Sequence, residues 1–238
     1  MISLALDSAS DRCSVAASDG VRVAHRHLDG ARSHATTILH LLDQVLEEIG
    51  APVTAVDRVL TGDGPGSFTG LRVATSVAKA IVWGRQVEWR TAPSLLLRAA
   101  AHAGDGGVVL AVSDALRGDV YAGCWRFDTD GVHPVGGPPR AMRPADLAAF
   151  GPVDRVVGTL PSPIIADVAI ITGREVIEGP LALPDARELL RLADRRGGTA
   201  LVTDAAAWEP EYGRPAEAQA VWERTHGRQL PTAPGILR

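Results

Sequence analysis

The residues with most potential for chemistry run Gly62-Asp63-Gly64-Pro65-Gly66-Ser67-Phe68-Thr69-Gly70-Leu71-Arg72. A glycine-dense loop between a strand and a helix can offer backbone N–H groups and the positive helix end to a phosphate. The details withhold that chemistry. A Walker-type loop needs a lysine to reach the terminal phosphates, and Lys79, the single lysine of the chain, lies far down the following helix. The dinucleotide fingerprint requires glycine or alanine where Thr69 stands, and Gly70 is one place late. A serine-hydrolase elbow needs glycine two places before its nucleophile, where Ser67 has Pro65. Asp63 would also repel a phosphate. Turn geometry and close packing therefore account for these glycines, with Ser67 or Thr69 capping the helix at a gain of about 1 kcal/mol.

Other candidates are sparser. Asp7 follows the first strand, where nucleotide-binding folds often place a phosphate or metal-water contact, and is the one candidate cofactor residue; a capped turn explains it equally well. His34 and His40 are six residues apart on one helix, which separates them by roughly 240°. A shared metal would require a histidine one turn after His34, where Ile38 stands. Asp114, Arg117, Asp119 and Tyr121 surround a turn between two strands; acid–base work there would also need a pocket and a raised pKa. Cys13 and Cys124 lack paired-ligand spacing and read as small buried thiols. Catalytic, cofactor and metal sites are thus expected to be absent.

The elements that would position these residues follow from apolar periodicity. Residues 2–6 read as a buried strand, and residues 13–18 with 21–28 as a hairpin. Ala35, Ile38, Leu39, Leu42, Val45, Leu46 and Ile49 recur at helical spacing with Gly50 as a stop. A strand at 58–61 and a helix at about 67–83 complete a βββαβα order. Residues 87–90 read as a strand and 94–102 as a helix. A similar order then recurs: strands at 108–112, 119–127 and 132–135, a helix near 145–150, a strand at 155–158 and a helix at 185–195. This alternation argues for α/β architecture in two halves of mixed sheet, the second degenerate. The expected division is 1–105, 106–227 and a loose tail at 228–238.

With 238 residues the chain can bury roughly 70 to 75% of its unfolded surface. It has no run of 18 apolar residues, and residues 1–7 have no basic region before their apolar stretch, so the expected compartment is cytoplasmic with no membrane role. A net charge of −4 supplies no general attraction to phosphate backbones, which disfavours autonomous nucleic-acid binding.

The second long helix has more apolar surface than one sheet contact requires. Phe68, Leu71, Ala74, Ala78 and Ile81 form a core stripe, while Val73, Val77 and Ala80 form another beside it. The first helix adds Leu41 beside its main face. Either the second half covers this surface or another protein docks there.

The string Gly64-Pro65-Gly66-Ser67-Phe68-Thr69-Gly70-Leu71-Arg72, preceded by Leu4-Ala5-Leu6-Asp7-Ser8, closely resembles the TsaB family of bacterial tRNA threonylcarbamoyladenosine biosynthesis subunits. Ser33-His34, residues 114–121 and, more faintly, residues 210–214 extend the likeness. It departs at Leu116, where the family commonly has arginine, so no role is carried to that position. The resemblance implies an actin-like/Hsp70-like (ASKHA) fold and a non-catalytic subunit that supports the catalytic subunit TsaD by docking through helices of the N-terminal half. It also implies the ATPase TsaE as a further member, ATP and metal on the partner subunits, tRNA contact only through the complex, and a homodimer when the partner is absent. Leu41, Val73, Val77 and Ala80 are the expected contact residues. The alternatives are an independent ATP-binding phosphotransferase or ATPase of the same superfamily, resting on Asp7 and the glycine loop, or a metallopeptidase-like protein.

Overall fold

The structure is a computed structural model that describes residues 1–30, 34–213 and 225–228. Residues 229–238 of the expected tail, together with Ser33 and Arg214, lie outside the described residues.

The first half opens with β1 (Ser3–Asp7), β2 (Arg12–Ser18) and β3 (Val23–Asp29), then α1 (His34–Ile49), β4 (Arg58–Gly62), α2 (Phe68–Val82), β5 (Glu88–Ala92) and α3 (Ser94–Ala101). The second contains β6 (Gly107–Asp114), β7 (Val120–Asp128), β8 (Gly131–Met142), a 3-10 segment (Pro144–Phe150), β9 (Arg155–Thr159), α4 (Ser162–Thr172), β10 (Val176–Ile177) and α5 (Ala186–Leu192). A last short strand, β11 (Ala200–Leu201), returns to the first sheet.

Strand order reveals the relation between the halves. Apart from β11, the first sheet runs β5-β4-β1-β2-β3 and the second β10-β9-β6-β7-β8. In each, the first three strands are antiparallel, and the fourth and fifth join them in parallel. Parallel strands need a crossover, supplied by α1 and α2 in the first half, and by the 3-10 segment and α4 in the second. Two such units make the actin-like/Hsp70-like fold. The second is degenerate where one 3-10 segment replaces the counterpart of α1.

Packing builds five layers. Strand β1 is buried along its whole length, as a central strand covered on both faces must be. On one face α1 sets Ile38, Leu42, Val45 and Leu46 against Leu4, Leu6 and Val15, joined by Ala74, Ala78 and Ile81 of α2. Between the sheets lie α3 and α5, with Leu95, Leu96, Leu97, Leu189 and Leu192 in one core with Ala5, Leu60, Val109 and Trp125. The chain crosses over here: α3 contacts β6, β7 and β9, whereas α5 contacts β1, β2 and β4. The outer layer on the second sheet is α4 and the 3-10 segment, which bury Val168, Leu147 and Phe150. Among the described residues, no helix is long and apolar enough to cross a membrane.

Helix α4 escaped the sequence reading. Its run from Ile164 to Ile171 is apolar except for Asp167 and has no amphipathic period, so spacing does not distinguish it from a connecting strand. Strand β8 extends well beyond 132–135, through Pro134, Pro138 and Pro139. It is an edge strand, where missing N–H donors are tolerated.

Candidate functional site

The glycine loop leads from β4 into α2, and its polar groups are turned inward. The N–H of Asp63 donates to Ala92 O at 2.9 Å and that of Ser67 to Ala9 O at 2.7 Å. The N–H of Gly64 donates to Ser94 Oγ at 3.3 Å, and Ser67 Oγ caps α2 by accepting from Gly70 N at 3.2 Å. Four donors of the loop and helix start, the N–H groups of Asp63, Gly64, Ser67 and Gly70, are thus engaged within the protein instead of facing a phosphate. The glycines permit close contact with the backbone after β1. A Cβ at Gly66 would lie 2.2 Å from Ala9 O, and one at Gly70 1.8 Å from Ser8 O. Gly64 has a φ of +104°, and a side chain there would meet Glu211 O at 2.1 Å. Pro65 is buried and Thr69 exposed. Phe68 packs on Tyr212 with ring centroids 4.5 Å apart, and the Arg72 guanidinium lies 5.3 Å from the Phe68 centroid.

Asp7 lies beneath this loop, with no surface exposure. Its Oδ2 accepts from Ser94 Oγ at 2.9 Å and its Oδ1 from Ala9 N at 3.3 Å. Burial pushes its pKa up to about 6, against the lowering effect of those hydrogen bonds. Asp63 is likewise raised, to about 7, by burial and by the neighbouring Glu211 carboxylate, opposed by a hydrogen bond from Thr91.

Between the halves is a cleft of about 260 Å³ lined by Ser10, Asp11, Ser67, Arg98, Asp114 and Thr159, among others. Asp7 is not part of its lining. Arg98, on α3 and only 6% exposed, donates to Thr159 Oγ1 and to Ala182 O, both at 2.9 Å. Burial lowers its pKa to about 10, despite Asp7 and Asp11 nearby. The sequence reading passed over Arg98 because it occupies an otherwise apolar helix face; an arginine within Leu95-Leu96-Leu97-Arg98-Ala99 was the available signal.

The Asp114 cluster forms a tight hairpin turn. Asp119 N donates to Leu116 O at 3.1 Å across a turn whose central residues, Arg117 and Gly118, have φ values of 58° and 89°, as a primed hairpin turn requires. Leu116 before them also takes a positive φ of 64°, which non-glycine residues seldom adopt. Asp114 Oδ1 accepts from Leu116 N at 2.7 Å; Arg117 and Asp119 are exposed, while Tyr121 is buried beside the cleft. His40 is exposed and 3.2 Å from Gln44, and the side chain of His34 lies outside the described residues. Burial pushes both Cys13 and Cys124 up to about 12, which leaves them as inert thiols.

A separate concavity is an apolar groove of about 530 Å³ between α1 and α2, lined by Ala35, Leu39, Phe68, Arg72, Val73 and Val77, among others. Val73 and Val77 are half-buried and Ala80 is exposed, so the second half leaves this stripe open. Leu41 corrects the expectation: at 7% exposure it belongs to the core against the first sheet. Its neighbour Leu39, which had been counted as core, is 52% exposed and lines the groove. The two lie two positions apart, roughly 200° of rotation, so one faces the sheet while the other faces away from it.

A family model described as TsaD, tRNA N6-adenosine threonylcarbamoyltransferase, matches residues 28–132. The tRNA threonylcarbamoyladenosine biosynthesis protein TsaB of Escherichia coli (strain K12) is 33% identical over 132 residues, 54% of this chain and 57% of that protein. The protein of the same name from Haemophilus influenzae (strain ATCC 51907 / DSM 11121 / KW20 / Rd) is 32% identical over 120 residues, 50% of this chain and 51% of its own. The match thus spans little more than half the length of these curated relatives. A crystal structure from Pseudomonas aeruginosa, described as an uncharacterized protein with similarity to peptidase YEAZ, superposes with a TM-score of 0.74 at 27% identity. That likeness covers 90% of this chain and 99% of the other. These comparisons bear out the resemblance to the TsaB family.

Proposed function

From this kinship with TsaB proteins, we propose that the chain is a non-catalytic docking subunit in the formation of threonylcarbamoyladenosine on tRNA, supporting a TsaD-type catalytic subunit. The observation that carries the reading is the open apolar groove between α1 and α2, lined by Leu39, Val73 and Val77, with Ala80 exposed further along α2. A solvent-exposed groove of this kind gains from burial at roughly 25 cal/mol per Å². A specific complex buries on the order of 1,600 Å² in total, which α1 and α2 can largely provide. The TsaD family model covers this same helical pair, which supports helix-to-helix packing of two related folds. The engagement of the Asp63, Gly64, Ser67 and Gly70 N–H groups within the protein and the burial of Asp7 outside the cleft lining support a non-catalytic role.

On this reading ATP and metal belong to the TsaD- and TsaE-type members, tRNA is met only in the complex, and a second copy covers the groove when the partner is missing. Light scattering of the chain alone and mixed with the TsaD protein of its own organism tests the proposal. A stable mixed species is expected; none at physiological salt would refute it. Arg98 in the cleft favours a second reading, an independent nucleotide-dependent phosphotransferase of the same fold. Saturable ATP binding with turnover by the isolated chain would install that reading instead.

A further inference from the structure

On the face of the first sheet opposite α1, edge strand β3 carries a cluster separate from both the groove and the cleft. Alternation along a strand places His25, His27 and Asp29 on one face. The two imidazoles stack with centroids 5.3 Å apart and an interplanar angle of 29°. Facing them is Asp185, which caps α5 by accepting from Arg187 N at 2.9 Å and is only 4% exposed. One donor atom from each of His25, His27 and Asp185 lies within 4.8 Å of the others. We propose that His25, His27 and Asp185 bind a divalent transition-metal ion, zinc in the first instance, that clips β3 to the start of α5.

The donor set is that of a three-ligand zinc site, two imidazoles and a carboxylate with open positions for water. Metal–ligand bonds of about 2.0–2.2 Å place donors roughly 3.3 Å apart in tetrahedral geometry, which small side-chain rotations reach from the observed cluster. His25 Nε2 is an independent pointer. It is buried and 3.0 Å from Asp185 Oδ1, yet has no aligned hydrogen-bond partner among the described residues. A buried polar atom left in this way carries a desolvation cost that a metal bond would remove.

Protonation suits a metal as well. Desolvation and the Arg12 guanidinium lower the His27 pKa, which favours the neutral imidazole. Burial would raise the pKa of Asp185, but the nearby His25 ring and the hydrogen bonds from Arg187 hold it far below the usual carboxylate range. Two guanidiniums oppose a cation. Arg12, 3.9 Å from Asp185, is held by Asp29 through contacts of 2.7 and 2.9 Å, which offset its charge. Arg187 holds both oxygens of Asp185, and its side chain, 48% exposed, must release at least one of them to water for the ion to bind. Affinity is therefore below that of a closed four-ligand structural site. Cys13 packs in the core toward α1, on the other side of the sheet, and is not a ligand.

Chelator-stripped full-length protein titrated with zinc in a calorimeter tests the site, with cobalt(II) absorption as a second readout. The expected result is one ion per chain and an unfolding midpoint that climbs with the logarithm of free zinc. His27→Gln, at an exposed edge position, should keep the fold and weaken zinc binding at least tenfold, whereas His133→Gln should leave it unchanged. A His27→Gln protein that binds zinc as the wild type does, or a wild type with no saturable zinc uptake, overturns the proposal.

Discussion

Replacing Gly70 by alanine separates the packing account of the glycine loop from a helix-propensity account, because the two predict opposite signs. In an isolated helix the change stabilises by about 1 kcal/mol. Here the new methyl carbon would sit 1.8 Å from Ser8 O and 2.9 Å from Ser8 C, and both are backbone atoms of a residue that is 1% exposed. No flexible side chain can yield, so α2 and the loop after β1 must part by more than an ångström. Overpacking of this kind costs about 1–3 kcal/mol. The separation also strains the 2.8 Å hydrogen bond from Ser8 Oγ to Gly70 O, worth about 1 kcal/mol. Subtracting the propensity gain leaves a net loss of about 2 kcal/mol, or about 4–8 °C in Tm for a chain of this size. Thermal and urea unfolding of the purified variant measure it. A Gly70→Ala protein as stable as the wild type, or more stable, would refute the claim that these glycines exist for close packing.

Asp7 gives a pH prediction. Its folded pKa of about 6 lies above the ordinary 3.8, so the native state retains a proton that the unfolded state releases. Its contribution is fully present below pH 3.8 and fades as pH rises through about 6. Asp7→Asn should therefore flatten the stability–pH curve between these limits and raise stability at neutral pH by on the order of 3 kcal/mol. Part of the slope should survive because Asp63, at about 7, titrates with the same sign; an unchanged curve in urea unfolding across pH would count against the buried placement of Asp7. Arg98→Ala removes the donor that joins α3 to Thr159 and Ala182. It should cost about 1–3 kcal/mol in chemical denaturation, since the buried Ala182 carbonyl loses its partner while the exposed Thr159 hydroxyl can turn to water, and a loss under 0.5 kcal/mol, the range of ordinary surface changes, would contradict that linking role.

Much of this architecture was legible because it rests on periodicity. The amphipathic spacing of α1 and α2 and the apolar runs of β1, β4 and β6 are dictated by which faces must leave water. Ser67 as the cap of α2 was readable for the same local reason. What escaped depends on partners distant in sequence. Arg98 is polar in a buried helix because its acceptors come from β9 and from the segment before α5. His25 and His27 meet Asp185 only because α5 packs on the sheet of the other half. Leu39 and Leu41 changed places because the helix phase is set by contact with β2 and β3, which no single-helix pattern resolves to one residue.

The central claim is that the groove between α1 and α2 receives a TsaD-type subunit. It is tested most directly by titrating that subunit, from the same organism, with wild-type chain and with the Val73→Glu/Val77→Glu variant in a calorimeter. Both valines are half-buried on the open side of α2, so circular dichroism and unfolding should show an intact fold. A charge placed at the centre of a docking face costs at least about 2 kcal/mol, so the account predicts an affinity loss of thirtyfold or more. Equal affinity of wild type and variant for the partner would contradict it.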